Sequence, residues 1–309
     1  MGKIAFVFPG QGAQKAGMGL DFYKEYATAR EVYEKAGAWL GMDVKALCFE
    51  ENDRLNQTQY TQAAMVATSM AMERVIEERG LHPDITAGLS LGEYCAIATA
   101  GAMSLRDAIV TVRKRGLLME EAVLAGQGGM AAVLGMEAGA IERIIEPIEQ
   151  VGIANYNCPG QIVITGMRQS LDAATEALKA AGAKRVVELT VSGPFHSEML
   201  AEAGKKLAAE LESVELHDLS IPYVTNVTAE TVRDTAQIKG LLARQIASPV
   251  RWQQSVEHMI ADGTDVFVEI GPGRTLTGFM KKISRDVMVY NIETVTDMNE
   301  VLEKLKDRM

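Results

Sequence analysis

The sequence predicts an α/β fold in which a domain built on a parallel sheet is interrupted by a small split βαβ insert. Three observations point to it. Short apolar, β-branched runs alternate with longer helical patterns. The middle of the chain instead reads β-α-β-β-α-β. Between a strand pattern and an alanine-rich helix stands a Gly-x-Ser-x-Gly pentapeptide, a strand-turn-helix setting.

In chain order, the continuous apolar run at 4–8 suits a strand buried on both faces, and Pro9-Gly10 stops it. Helical periodicity occupies 61–79, 91–99 and 105–124, with a second strand at 85–89. Ala125-Gly126-Gln127-Gly128-Gly129 reads as a flexible connection. A strand at 130–134, a helix at 138–148, strands at 153–157 and 161–166 across the turn Cys158-Pro159-Gly160, a helix at 169–181 and a strand at 185–191 follow, the ferredoxin-like order. A helix at 198–211, a strand at 221–226, a helix at 250–261 and strands at 266–270 and 287–291 complete the larger unit. The expected domains are 1–124 with 194–309, and an insert, 125–193, forming one wall of a ligand cleft.

With 48% hydrophobic and 23% charged residues, the 309-residue chain falls outside the disordered and collagen-like classes. Its net charge of -10 argues against nucleic acid or an anionic membrane as the main partner. Cys48, Cys95 and Cys158 form no CxxC pair and fit reduced thiols without metal or disulfide roles. The run at 4–8 is too short for a secretion signal and no stretch approaches a membrane span, so a cytoplasmic protein is expected.

The pentapeptide Gly88-Leu89-Ser90-Leu91-Gly92 carries the chemistry. A chain of this composition yields about 0.1 such matches by chance, before the strand-turn-helix context is required. The setting is a nucleophile elbow, so the larger unit is expected to be α/β-hydrolase-like, with Ser90 clear of the sheet and the Leu91 amide facing a bound acyl oxygen. A serine needs a base, and there are four histidines. His82 sits in a turn before Pro83, His217 in an acidic loop, and His258 near a helix end where it would cap carbonyls. His196 follows a strand and turn and opens the next helix, which puts it at the ligand edge and favours a neutral ring. The loop Pro9-Gly10-Gln11-Gly12-Ala13-Gln14 fails as a dinucleotide fingerprint, because Lys15 holds the third glycine position, and as a P-loop, because no Gly-Lys-Ser/Thr follows. Its better use is the Gln11 amide as a second oxyanion donor. Arg113 and Arg115 share a helix, and periodicity singles out neither; whichever faces the cleft would bind a carboxylate and make the substrate a dicarboxylic acyl group. Gly271-Pro272-Gly273 and the 17 methionines read as a turn and core filler.

Together these residues resemble the malonyl-CoA:acyl-carrier-protein transacylase family, nearly end to end. The resemblance rests on Phe8-Pro9-Gly10-Gln11-Gly12-Ala13-Gln14, Thr61-Gln62 opening a helix, Gly88-Leu89-Ser90-Leu91-Gly92-Glu93-Tyr94 and Arg115-Gly116 followed by Met119. It continues through Asn155-Tyr156-Asn157 with Pro159-Gly160-Gln161, Gly193-Pro194-Phe195-His196-Ser197, Arg244-Gln245 with Pro249-Val250-Arg251-Trp252, and Glu269-Ile270-Gly271-Pro272-Gly273. It implies Ser90 as acylated nucleophile and His196 as base, with the Gln11 and Leu91 amides as oxyanion hole. The Gln245 backbone carbonyl would orient the imidazole in place of an acid. It also implies that Arg115, rather than Arg113, holds the malonyl carboxylate, that Gln62 and Asn157 line the cleft, and that Phe195 marks malonyl selectivity. Leu89 departs from the histidine many relatives carry beside the nucleophile.

The expected function is thus ping-pong transfer of malonyl from malonyl-CoA to an acyl carrier protein for fatty-acid synthesis, by a monomer without metal or cofactor. Transfer in polyketide synthesis and thioester hydrolysis by the same Ser-His pair are the alternatives. Because such carriers are acidic, Lys184-Arg185, Lys281-Lys282 and Arg285 are candidates for a basic docking rim.

Overall fold

The computed structural model describes residues 2–122, 126–191 and 193–309. Its strands are β1 (Lys3–Phe8), β2 (Ile85–Gly88), β3 (Gly128–Leu134), β4 (Val151–Cys158), β5 (Gln161–Met167), β6 (Arg185–Glu188), β7 (Tyr223–Val224), β8 (Thr231–Val232), β9 (Thr264–Ile270) and β10 (Met288–Ile292). Along β1, Ile4, Phe6 and Phe8 enter one core and Ala5 and Val7 another, so both sheet faces are covered and the run is apolar without alternation. The helices Thr58–Glu78 and Leu105–Ala122 lie over the first face, and Trp252–Ala261 and Thr275–Ile283 over the second.

The larger sheet runs β10-β9-β1-β2-β7-β8; all neighbours are parallel except β8, which turns back antiparallel on β7. The loops leaving β1, β2, β7 and β9 therefore share one edge, and β2 lies between β1 and β7. The smaller sheet, β4-β5-β3-β6, is antiparallel, the ferredoxin-like order, with its own apolar core under the helices Ala138–Ile145 and Arg168–Ala180. The smaller sheet is stitched at β4 to the segment before the Trp252–Ala261 helix: Tyr156 N–H donates to Val250 O at 2.9 Å, and Val250 N–H to Ala154 O at 2.8 Å.

Several expectations are corrected. Gly128 and Gly129 are not a flexible link but the start of β3. A Cβ on Gly128 would lie 2.7 Å from the Pro194 ring, so the residue is needed for close packing. Ala125, in the same expected link, lies outside the described residues, as do Val123 and Leu124 of the 105–124 helix. The 138–148 helix stops at Ile145, ahead of Pro147. β6 ends at Glu188; Leu189 N–H still donates to Met130 O of β3 at 2.9 Å, and 190–191 leave the sheet. The 221–226 strand shrinks to Tyr223–Val224, because Pro222 brings no N–H and the chain turns back when Ala229 N–H bonds Thr225 O. The helix Thr58–Glu78 begins a turn early, so Thr61 and Gln62 lie inside it. The expected domain limit at 124/125 lies outside the described residues.

Candidate active site

The elbow is built by backbone crowding. A Cβ on Gly88 would fall 2.0 Å from Gly92 C and O, and one on Gly92 would fall 2.3 Å from Phe8 O, so the first and last pentapeptide positions admit only glycine. Between them Ser90 takes φ 53, in the left-handed region. Among the described residues only Ser90, Gln150, His196 and Ala229 do so without being glycine, and two of these four face each other: Ser90 Oγ lies 2.7 Å from His196 Nε2. His196 Nδ1 faces two carbonyls, Gln245 O at 3.0 Å and Ser248 O at 3.2 Å. Carbonyls only accept, so Nδ1 carries the proton and Nε2 is left to accept from the serine hydroxyl. Burial, and then the charge of Arg115, lower the His196 pKa to about 4, so the ring is neutral at physiological pH.

That neutrality does not arise as expected. His196 comes from the segment returning from the smaller sheet, not from the C-terminal end of a parallel strand. A 3-10 turn, Glu198–Leu200, separates it from the helix Ala201–Glu212, so it is not the helix's first residue. Of the other histidines, His258 meets Thr231 Oγ1 at 2.8 Å instead of capping carbonyls, His82 lies 3.9 Å from Glu77, and His217 is exposed.

Arg115 is fully buried. It donates to Gln62 Oε1 at 2.8 Å, Gln245 Oε1 at 2.9 Å and Ser90 Oγ at 3.0 Å. Among the described residues no carboxylate forms a salt bridge with it, so a guanidinium taken out of water has neutral partners only. Arg113 instead lies over the Tyr60 ring, 4.5 Å from its centroid. Gln62 Nε2 donates to Met119 Sδ at 3.2 Å, which turns its oxygen to Arg115. The Gln11 side chain donates to Thr58 Oγ1 at 3.1 Å, and among the described residues neither the Gln11 nor the Leu91 backbone N–H has an acceptor.

These groups border a cavity of about 480 Å³ between the two sheets. Gln11, Gln62, Leu89, Ser90 and Leu91 line it from the larger unit, Met130, Asn155, Asn157 and Val163 from the smaller, and Phe195 and His196 from the returning segment. Arg115 and Gln245 stand behind that wall. Among the described residues no three His, Cys, Asp or Glu side chains are grouped to hold a metal ion.

Sequence reasoning missed three contributors. Ser248 supplies the second carbonyl to His196. Asn226, just past β7, receives Ser90 N–H on Oδ1 at 2.7 Å. Glu93 is buried, and its Oε2 accepts from Gln245 Nε2 at 2.7 Å and Asn226 N–H at 3.1 Å; burial pushes its pKa up to about 7 against those donors. A charged residue inside the apolar run after the elbow was the available signal for Glu93.

Residues 5–301 match the acyl transferase domain family. Malonyl CoA-acyl carrier protein transacylase of Bacillus subtilis is 42% identical, over 99% of this chain and 98% of its own. The chain belongs to the malonyl-CoA:acyl-carrier-protein transacylase family. Solved members superpose closely. The transacylase of Clostridium perfringens gives a TM-score of 0.95 at 41% identity, covering 99% of this chain and 98% of that one. A malonyl-transacylase in complex with its type II PKS acyl-carrier protein gives 0.95 at 38%, covering 98% and 99%. The two-sheet architecture is thus the family's.

Proposed function

We propose that the protein transfers a malonyl group from malonyl-CoA to the phosphopantetheine thiol of an acyl carrier protein for fatty-acid synthesis, through an acyl-serine. The observation that carries this reading is Arg115: a buried cation hydrogen-bonded to the nucleophile and, among the described residues, bonded to no carboxylate suits an acyl group that itself ends in a carboxylate. The names of the relatives and the carrier complex of one of them support the same donor and acceptor.

In the proposed mechanism the malonyl carboxylate binds the Arg115 guanidinium and the thioester carbonyl lies over Ser90. His196 Nε2 takes the hydroxyl proton as Ser90 Oγ bonds the carbonyl carbon. The oxyanion accepts from the Gln11 and Leu91 amides. The C–S bond then breaks, and the CoA sulfur leaves with the proton from His196. The carrier thiol enters, gives its proton to His196, bonds the acyl carbon and releases Ser90, which recovers the proton. The Gln245 backbone carbonyl holds the imidazole in register, Gln62 holds the guanidinium, and Asn157 and Phe195 bound the acyl pocket. In this proposal residues 125–193 form the opposing wall, the two thioesters and these side chains suffice without a cofactor, and a monomer works in the cytoplasm. Among the described residues no helix is long and apolar enough to cross a membrane.

The test follows labelled malonyl from malonyl-CoA in the presence of holo carrier protein. Label on the carrier thiol supports transfer; release only as free malonate would make the protein a thioester hydrolase. Comparing fatty-acid and polyketide carriers in the same assay assigns the pathway.

A further inference from the structure

We infer that Asn226 is a positioning residue for the nucleophile: its side chain stands in for a missing strand rung and holds the elbow in its strained form. This rests on the reading of Ser90 as the acylated residue. The β2-β7 ladder pairs Thr86 with Tyr223 and Ala87 with Val224, and stops there. In a parallel ladder one residue donates to the carbonyl before its opposite number and accepts from the N–H after it. The Asn226 carboxamide makes that pair of bonds around Leu89: Nδ2 donates to Gly88 O at 2.7 Å and Oδ1 accepts from Ser90 N–H at 2.7 Å. A side-chain amide thus continues the sheet where the backbone has turned away, and it does so fully buried.

Asn226 is itself fixed at three points, two on its backbone and one on its carboxamide. Asn226 N–H donates to Glu93 Oε2 at 3.1 Å, Asn226 O accepts from Arg251 N–H at 3.0 Å, and Gln245 Nε2 approaches Oδ1 at 3.4 Å. Gln245 Nε2 also donates to Ser90 O at 2.9 Å, so the serine's N–H and C=O are both held by side chains of this cluster. A left-handed backbone is unfavourable for a side-chain-bearing residue and persists only where surrounding bonds over-determine it. Without the clamp, Ser90 is free to relax toward ordinary φ. That rotation carries Oγ away from His196 and turns the adjoining Leu91 N–H out of the cavity. Arg115 loses only its bond to Ser90 Oγ and keeps its place, because Gln62 and Gln245 still hold it.

The cost therefore falls on the chemical step rather than on substrate binding. A displacement of about 1 Å at the reacting atoms lowers a rate on the order of a hundredfold. The experiment measures single-turnover malonylation over a range of malonyl-CoA concentrations, with melting temperatures, for the wild type, Asn226→Ala and Asn226→Asp. Asn226→Ala should acylate on the order of a hundredfold more slowly at saturation, with half-saturation changed by less than roughly threefold. Asn226→Asp keeps the acceptor for Ser90 N–H and loses the donor to Gly88 O, so its rate should fall between the two. A folded Asn226→Ala that acylates at the wild-type rate, or one whose loss appears only in half-saturation, overturns the inference. Should Asn226→Ala fail to fold, Asn226→Asp decides, and a wild-type rate there overturns it as well. Acylated wild type with unaffected variants removes this inference alone, whereas wild type that takes up no malonyl removes the parent reading.

Discussion

His196 Nδ1 lies 3.0 Å from the backbone carbonyl of Gln245, where a carboxylate would stand in a Ser-His-Asp relay. A carbonyl fixes the same tautomer but brings no charge to steady an imidazolium, and nearby Arg115 opposes one. The ring's pKa is therefore lowered to about 4, by burial first and Arg115 second. Acylation should hold its rate from neutral pH down to about 5 and fall below that as Nε2 is protonated. A pre-steady-state pH profile checks this, and an acid limb at the ordinary value of 6.5 contradicts it. Stability should follow the same group. The unfolded chain binds this proton more readily, so the contribution is complete above about 6.5 and is lost as pH falls toward about 4.

Replacing the guanidinium separates its two effects. Arg115→Gln should lower kcat/KM for malonyl-CoA by roughly a hundredfold, equivalent to about 3 kcal/mol for a lost buried charge pair. Activity with acetyl-CoA should survive, since acetyl has no carboxylate to lose. Measured with acetyl-CoA, the acid limb of the variant should lie above that of the wild type, because a positive charge beside His196 has gone.

Backbone strain away from the site offers a stability test. Ala229, at φ 59 in the turn between β7 and β8, donates its N–H to Thr225 O at 3.0 Å. Glycine removes a left-handed cost of about 1–2 kcal/mol, partly offset by its freer unfolded chain. Ala229→Gly should raise the melting temperature by roughly 2 °C with unchanged turnover. The same change at Ser90 removes the nucleophile and should abolish malonylation.

Three of the basic candidates for carrier docking, Lys184, Arg185 and Lys282, lie near one another. Gln161 pairs with Leu134, and Leu134 with Arg185, across neighbouring strands, and Lys282 Nζ lies 3.4 Å from Gln161 Oε1. Lys184 adjoins Arg185, and Lys282 follows the cavity-lining Phe279 by one helical turn. Lys281→Glu with Lys282→Glu should raise the KM for holo carrier about tenfold and leave that for malonyl-CoA unchanged. Steady-state kinetics with each substrate varied in turn decides it.

Much of the fold and the site is legible in the sequence. The elbow could be read because crowding at Gly88 and Gly92 leaves glycine no substitute, and the insert because its element order is distinctive. Periodicity could not separate Arg113 from Arg115, since both neighbour the same helical face; only tertiary placement sends one to Tyr60 and the other to Ser90. The neutrality of His196 was expected for the wrong reason, a helix start in place of burial. Asn226 was hidden inside an expected strand, because a side chain that imitates a backbone rung leaves no spacing signal.

The central claim, a malonyl group held on Ser90, is tested most directly by intact mass after brief exposure to malonyl-CoA, followed by peptide mapping. The wild type should gain one malonyl adduct on the peptide carrying Ser90, lose it on addition of holo carrier protein, and show none as Ser90→Ala. No adduct on folded wild type, or one that persists in Ser90→Ala, contradicts the account.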